Sequence, residues 1–168
     1  MGLFVRSGDR AFMRRGLWLA AAIVAVDQLT KAVAEWWLEV YRPVPLLPGL
    51  NLTLVYNEGA AFSLLSDAGG WQRWFFVLVT VVVVVVLLRW LGRVSAQQRW
   101  TAGALAAVLG GAVGNLIDRV ATGRVVDFID IYVGDWHWPA FNVADSAITV
   151  GAILLMGIAL FANDDASS

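Results

Sequence analysis

The chain contains no cysteine, a single histidine, four prolines and few charged side chains. Without cysteine there is no disulfide, no thiol nucleophile and no thiolate metal site. One histidine, His137, excludes a histidine cluster for a metal, and between Trp136 and Trp138 it reads as an interfacial polar side chain. Charged residues make up 15% of the 168 positions, against about a quarter in an ordinary soluble domain. The net charge of −1 leaves no basic face for nucleic acid. Pro43, Pro45 and Pro48 crowd into residues 41–49 and preclude a helix there, so a loop is expected.

What the chain has instead is apolar length: 60% of its residues are hydrophobic and its mean hydropathy is +0.71. Hydrophobicity falls into four blocks, about 17–37, 71–91, 100–117 and 141–162, each near the twenty or so residues that span hydrocarbon as a helix. The expectation is an all-α integral membrane protein with four transmembrane helices, one domain over residues 1–168. Arg6, Arg10, Arg14 and Arg15 precede the first block, and Arg89, Arg93 and Arg99 fill the connection between the second and third. By the positive-inside rule both sites and both termini are cytoplasmic, and the first and third connections lie outside. Trp36, Trp37, Trp71, Trp74, Trp136 and Trp138 then mark the outer interface, and Trp18, Trp90 and Trp100 the inner one. The N-terminal stretch has the charge, apolar run and Ala32-Val33-Ala34 site of a signal peptide. Asp27, Gln28 and Lys31 interrupt it, however, and a retained first helix is expected.

Residues 51–56 read as a short strand, with Leu52, Leu54 and Tyr56 on one face and Thr53 and Val55 on the other. Residues 125–132 alternate with the same period of two. Pairing of the two segments makes a small extracytoplasmic β platform over the outer helix ends. The valine run from Val81 to Val86 reads as lipid-facing scaffold, and Gly69-Gly70 as the turn that leads into it. Gly103, Gly110, Gly111 and Gly114 let the third helix approach its neighbours closely, and packing within the chain is expected. The tail, 163–168, reads as a solvated end.

Carboxylates in or against a bilayer cost at least about 2.5 to 3.5 kcal/mol and are tolerated mainly where they act. Asp27 and Lys31, four apart, share a helix face; a mutually neutralising pair and a role in substrate contact both remain open. Asp118 and Arg119 read as a local ion pair or loop anchor, with the arginine also able to hold a carbonyl or a lipid phosphate. Asn142 followed by Asp145 has the spacing of a capping box. A cap alone does not explain Asp127, which a short return loop brings to the same membrane face. Within a few ångströms of each other, Asp127 and Asp145 could not both ionise at neutral pH and would share a proton, as in aspartic proteases. Such a pair titrates as a unit, so either aspartate could be the base.

The blocks DQLTK (27–31), YNEGAAFS (56–63), GGAVGNLIDR (110–119), VVDF (125–128) and FNVADS (141–146) resemble, in order, the motif blocks of bacterial lipoprotein signal peptidase, signal peptidase II. The resemblance covers about residues 27–151. It implies an aspartic endopeptidase of the bacterial cytoplasmic membrane, without metal or cofactor, active near the outer face. Its substrate would be a prolipoprotein with a signal helix and a diacylglyceryl cysteine, cut before that cysteine. Asp127 and Asp145 match the catalytic pair. Asp27, Lys31, Asn57, Asn115, Arg119 and Asn142 match substrate-binding or site-supporting positions. Gly59 would hinge a loop with Ala60, Ala61 and Phe62 that covers the substrate, which would come sideways from membrane lipid to a monomeric enzyme. Three rival readings are a proton-coupled transporter using Asp27, Lys31, Asp127 and Asp145, a scaffold subunit pairing through the glycine-rich helix, and a peptidase using Ser146 and Lys31.

Overall fold

The computed structural model describes residues 7–59 and 71–161. Along the chain these form α1 (Ser7–Trp37), β1 (Val44–Leu47), β2 (Leu50–Asn57), α2 (Trp71–Leu91), α3 (Arg99–Ala121), β3 (Val125–Val133), β4 (Trp136–His137) and α4 (Val143–Phe161). All four helices are long and apolar enough to cross a membrane. The first starts well before residue 17, so that Arg14 and Arg15 ride exposed on the helix itself. Gly69 and Gly70, expected to form the turn into α2, and the tail at 163–168 lie outside the described residues.

Lipid gives apolar side chains no reason to cluster, so helices in a membrane associate through close packing and polar bonds. The central helix is α3, with 61% of its spanning window buried against 22% for α1 and 11% for each of α2 and α4. Small residues make this possible. A Cβ on Gly110 would stand 2.8 Å from the Ala20 carbonyl oxygen of α1, and one on Gly111 would overlap the Ala144 carbonyl of α4. From the other side, a Cβ on Gly151 of α4 would meet the Ala104 carbonyl at 2.7 Å. The G-x-x-x-G spacing thus serves packing within the chain. α2 is the opposite case: Val81, Val82, Val83, Val85 and Val86 are exposed, and within the helix only Leu87 and Leu91 are buried.

An antiparallel four-stranded sheet, in the order β1-β2-β3-β4, lies across one end of the bundle. Its centre is the pairing of β2 with β3, in register Asn51 to Asp130, Val55 to Asp127 and Asn57 to Val125. Leu54, Val126 and Phe128 bury against Ala34 and Leu38 at the end of α1, with Leu52 and Tyr56 packed around them. β1 falls where a loop was expected. A proline is tolerated on an edge strand, where its missing N–H faces away from the ladder, and Pro45 sits in that position opposite Asn51.

The hinge between α3 and the sheet is a glycine. Thr122 N–H donates to the Asp118 carbonyl at 2.8 Å and Gly123 N–H to the Arg119 carbonyl at 3.1 Å, while Gly123 adopts φ +84°. This left-handed residue closes the helix and turns the chain into β3. At the other end of β3, Phe141 bonds back to Ile129 in both directions, which sets the start of α4 beside the strand.

Close approach at Gly111 predicts a sharp contrast between two glycines. Gly111→Val should lower the thermal midpoint in detergent by an amount corresponding to about 1 to 3 kcal/mol or more of overpacking. Gly157→Ala, where an added Cβ meets nothing within 4 Å, should leave the midpoint unchanged or raise it slightly.

Candidate active site

At the seam of α1, α3, α4 and β3 the described residues bury a chain of polar groups. Lys31 is 3% exposed, and its ammonium bridges Asp27 and Asp118, each at 2.8 Å. It also donates to Asn115 Oδ1 at 2.9 Å. Asp27 therefore does pair with Lys31 across a helical turn. Asp118, in contrast, pairs with Lys31 and not with its neighbour Arg119, because the end of α3 points this carboxylate towards α1. Its second task is the anchor: Asp118 Oδ2 accepts the Val126 N–H at 3.2 Å at the start of β3.

Each remaining bond leads towards the two aspartates. Asp27 Oδ1 accepts the Ala144 N–H at 2.9 Å, so a carboxylate of α1 satisfies a donor in the first turn of α4. Asn142 is the N-cap. Its Oδ1 accepts the Asp145 N–H at 2.8 Å and Asp145 Oδ2 accepts the Asn142 N–H at 3.3 Å, the reciprocal capping box. The side-chain amide of Asn142 faces the other way and donates to Asp127 Oδ1 at 2.7 Å. One asparagine therefore caps the helix and spans the two carboxylates. Asn115 Nδ2 donates to Asp145 Oδ1 at 2.7 Å, and Asn57 Nδ2 to Asp127 Oδ2 at 3.1 Å.

The environments of the pair differ. Asp127 is 1% exposed on β3, whereas Asp145 is half-buried and lines two cavities. Burial and then the neighbouring charge of Asp145 push the Asp127 carboxyl up to about 7, against the opposing hydrogen bonds from Asn57 and Asn142 and the charge of Lys31. One cavity, about 520 Å³, opens between Ile131, Trp136, Trp138 and the α4 face bearing Ser146 and Val150. The other, about 310 Å³, lies among α2, α3 and α4, with Asn115, Arg119 and Thr80 on its wall. Arg119 makes one long hydrogen bond among the described residues, 3.4 Å to the Asn115 carbonyl, and its guanidinium lies 5.5 Å from the Phe76 ring.

Gly59 closes the β2 end of the site with φ +88° and its N–H on Asn57 Oδ1 at 2.9 Å; the Phe76 ring occupies the place a Cβ would take. Ala60, Ala61 and Phe62 lie outside the described residues. Ser146 Oγ donates to the Asn142 carbonyl at 2.9 Å, and the Lys31 ammonium is committed to three other acceptors, so serine and lysine form no dyad here. Two further participants stood in the sequence only as a polar interruption of the first span and as a packing glycine. Gln28 donates to Asp27, to Asp118 and to the Gly114 carbonyl, and Gly114 leaves room for the Asp27 carboxylate, which would stand 2.6 Å from an added Cβ. Gln28 could have been found from its position: it sits between two polar residues in an apolar span.

Comparison with known proteins identifies the family. The family model for signal peptidase II matches residues 19–161. The lipoprotein signal peptidase of Pseudomonas syringae pv. tomato is 55% identical over 141 residues, 83% of this chain and 82% of that protein. That of Hydrogenovibrio crunogenus is 53% identical over 141 residues, 83% of this chain and 81% of that protein. That of Pseudoalteromonas atlantica is 47% identical over 165 residues, 98% and 97% of the two chains. A bacterial membrane enzyme solved in meso at 1.9 Å superposes with a TM-score of 0.77 at 34% identity, covering 87% of this chain and 92% of that one. With its motif blocks, its four-helix fold and these relatives in accord, the chain belongs to the signal peptidase II family, the lipoprotein signal peptidases, and is a membrane protease.

Proposed function

We propose that the protein is an aspartic endopeptidase that removes the signal peptide from diacylglyceryl-modified prolipoproteins, cutting before the lipidated cysteine. The observation that carries this reading is the bridged pair: Asp127 and Asp145, joined through Asn142, with cavities opening on Asp145 from two sides. The difference in their surroundings supports a division of roles. Asp127, dry and pushed up to about 7, holds the shared proton. Asp145, at the cavity walls, is the base.

In this mechanism Asp145 takes a proton from a water as the water oxygen attacks the scissile carbonyl, and Asp127 gives its proton to the carbonyl oxygen. The product is a neutral gem-diol. Its collapse breaks the C–N bond, with the proton on Asp145 passing to the leaving nitrogen and a diol proton returning to Asp127. The two carboxyls supply both acid and base, so no metal is needed. Asn142 and Asn57 hold Asp127, Asn115 holds Asp145, and Asp27 with Lys31 hold the frame. Arg119 faces a substrate carbonyl or a lipid phosphate. Gly59, with its left-handed backbone, stands at the hinge position.

A substrate of this kind never leaves the bilayer; its signal helix and acyl chains approach sideways, and only the scissile bond meets polar groups. The exposed arginines of α1 and the α2 to α3 connection favour cytoplasmic termini and an active site near the outer face. In this reading the enzyme works as a monomer.

Asp127→Asn and Asp145→Asn should each lower cleavage of a diacylglyceryl prolipoprotein by about a hundredfold or more, with folding in detergent retained. Ser146→Ala should stay within a few-fold of wild type, and a metal chelator should have no effect. Activity surviving in either folded asparagine variant would overturn the dyad.

The pH dependence follows from the same geometry. Asp127 carries its proton below about 7 and loses it above, so kcat/KM should fall towards tenfold per pH unit on the alkaline side. The folded state binds this proton more tightly than the unfolded chain, in which an aspartate titrates near 3.8. Stability from Asp127 is therefore full below 3.8 and declines as pH rises towards about 7. Thermal midpoints of wild type should show that loss, and those of Asp127→Asn should lack it.

A further inference from the structure

Across the sheet from the dyad lies a second buried carboxylate that the mechanism leaves unused. Asp130 on β3 is 6% exposed. Its Oδ2 accepts from Asn51 Nδ2 at 3.2 Å and from Thr53 Oγ1 at 3.0 Å, both on β2, and its Oδ1 meets His137 Nδ1 of β4 at 2.7 Å. Burial opposes its charge, but the bonds from His137, Asn51 and Thr53 outweigh that and hold its pKa below the usual carboxylate value. His137 is half-exposed and its ring stacks on Tyr132, with centroids 5.3 Å apart and planes 20° from parallel. This is a built contact and not the bland interfacial side chain that the sequence suggested.

Its consequence is felt on the other side of the hairpin. Successive side chains of a strand point to opposite faces, so with Asp130, Tyr132 and His137 on one face, Ile131, Trp136 and Trp138 lie on the other. Those three line the 520 Å³ cavity that also contains Asp145. Beyond the edge-to-face contact of Trp136 with Trp138, 5.9 Å between centroids, little else among the described residues secures them. β4 has two residues and pairs with β3 only at Tyr132 to His137 and Val133 to Trp136, with one more backbone bond from Trp138 N–H to the Ile131 carbonyl at 2.8 Å. A two-residue strand at a sheet edge is marginal unless side chains clamp it.

We propose that the contact between His137 and Asp130 is a positioning device for substrate: it clamps the β3 to β4 hairpin so that Trp136 and Trp138 stand as a ready wall of the cleft beside Asp145. His137 then governs how tightly the apolar part of the substrate is held, without touching the reacting atoms. The inference rests on the peptidase reading above. When the clamp is lost the wall is formed only part of the time, and apparent affinity falls by that fraction.

The test is steady-state cleavage of a diacylglyceryl prolipoprotein by wild type, His137→Phe, His137→Asn and Asp127→Asn, together with hydrogen exchange at the Trp138 amide. Phenylalanine keeps the stack on Tyr132 and removes the bond to Asp130; asparagine restores a donor near the Nδ1 position. Expected for His137→Phe are a KM about tenfold higher, the factor a charge-assisted hydrogen bond is worth, an unchanged kcat, and faster exchange at Trp138. His137→Asn should recover most of the KM and the protection. An unaltered KM and exchange in His137→Phe, a loss in kcat alone, or failure of asparagine to rescue would each overturn the clamp. Cleavage by folded Asp127→Asn would instead sink the dyad, and the exchange measurement would still decide the clamp.

Discussion

One buried ammonium organises this molecule. Lys31 holds Asp27 of its own helix, Asp118 of α3 and Asn115 of α3, and each partner passes the constraint on. Asp27 fixes the first turn of α4 through Ala144, Asp118 fixes the start of β3 through Val126, and Asn115 fixes Asp145. Burying such charges is costly, and removing one partner strands the others, typically at about 3 to 5 kcal/mol. The arrangement is tolerable because two carboxylates around one cation leave an excess negative charge that further donors absorb, namely Gln28 and the N-terminus of α4. In a solvent that gives apolar helices no reason to cluster, this polar seam and the glycine contacts of α3 hold the bundle together.

Four helices were legible in the sequence because hydrocarbon thickness imposes a length and because chain composition reports it. The strand pair at 51–56 and 125–132 was legible because alternation of apolar residues carries its own period. β1 was not, since three prolines nearby signal a break and only the edge position of Pro45 makes a strand permissible. β4 has two residues, too few for any periodic signal. The reach of α1 back to Ser7 was hidden too, because helix continuing beyond the apolar stretch leaves no mark in hydropathy.

Within the site, the residues could be chosen from the chain, but their wiring could not. The cost of a carboxylate in a membrane points to Asp27, Asp127 and Asp145 by itself, and the spacing of Asn142 and Asp145 already contained the cap. The second role of Asn142, donating to Asp127, needs three dimensions, because that bond joins residues fifteen apart through the turn of a helix start. Likewise Asp118 looked local to Arg119 and pairs instead with Lys31, a partner 87 positions away in sequence that only helix packing brings near. His137 was underrated for the same reason: a lone histidine between tryptophans says nothing of the carboxylate across the strand.

The proposed chemistry requires two like groups to behave unlike each other, and the fold supplies that asymmetry with no additional residue. Asp127 stands on a strand whose first four residues are all buried, so its surroundings disfavour charge. Asp145 stands in the first turn of a helix, half-buried and at the wall of both cavities. Asn142 can span them because it is the residue at which extended chain becomes helix, so that its backbone serves one aspartate and its side-chain amide the other. A strand leading into a capped helix is therefore sufficient to place one buried and one cavity-facing carboxyl side by side. The cost is that the whole geometry depends on where α4 begins, and that position is fixed from α1 by Asp27, which accounts for a charge pair buried so deep in the first span.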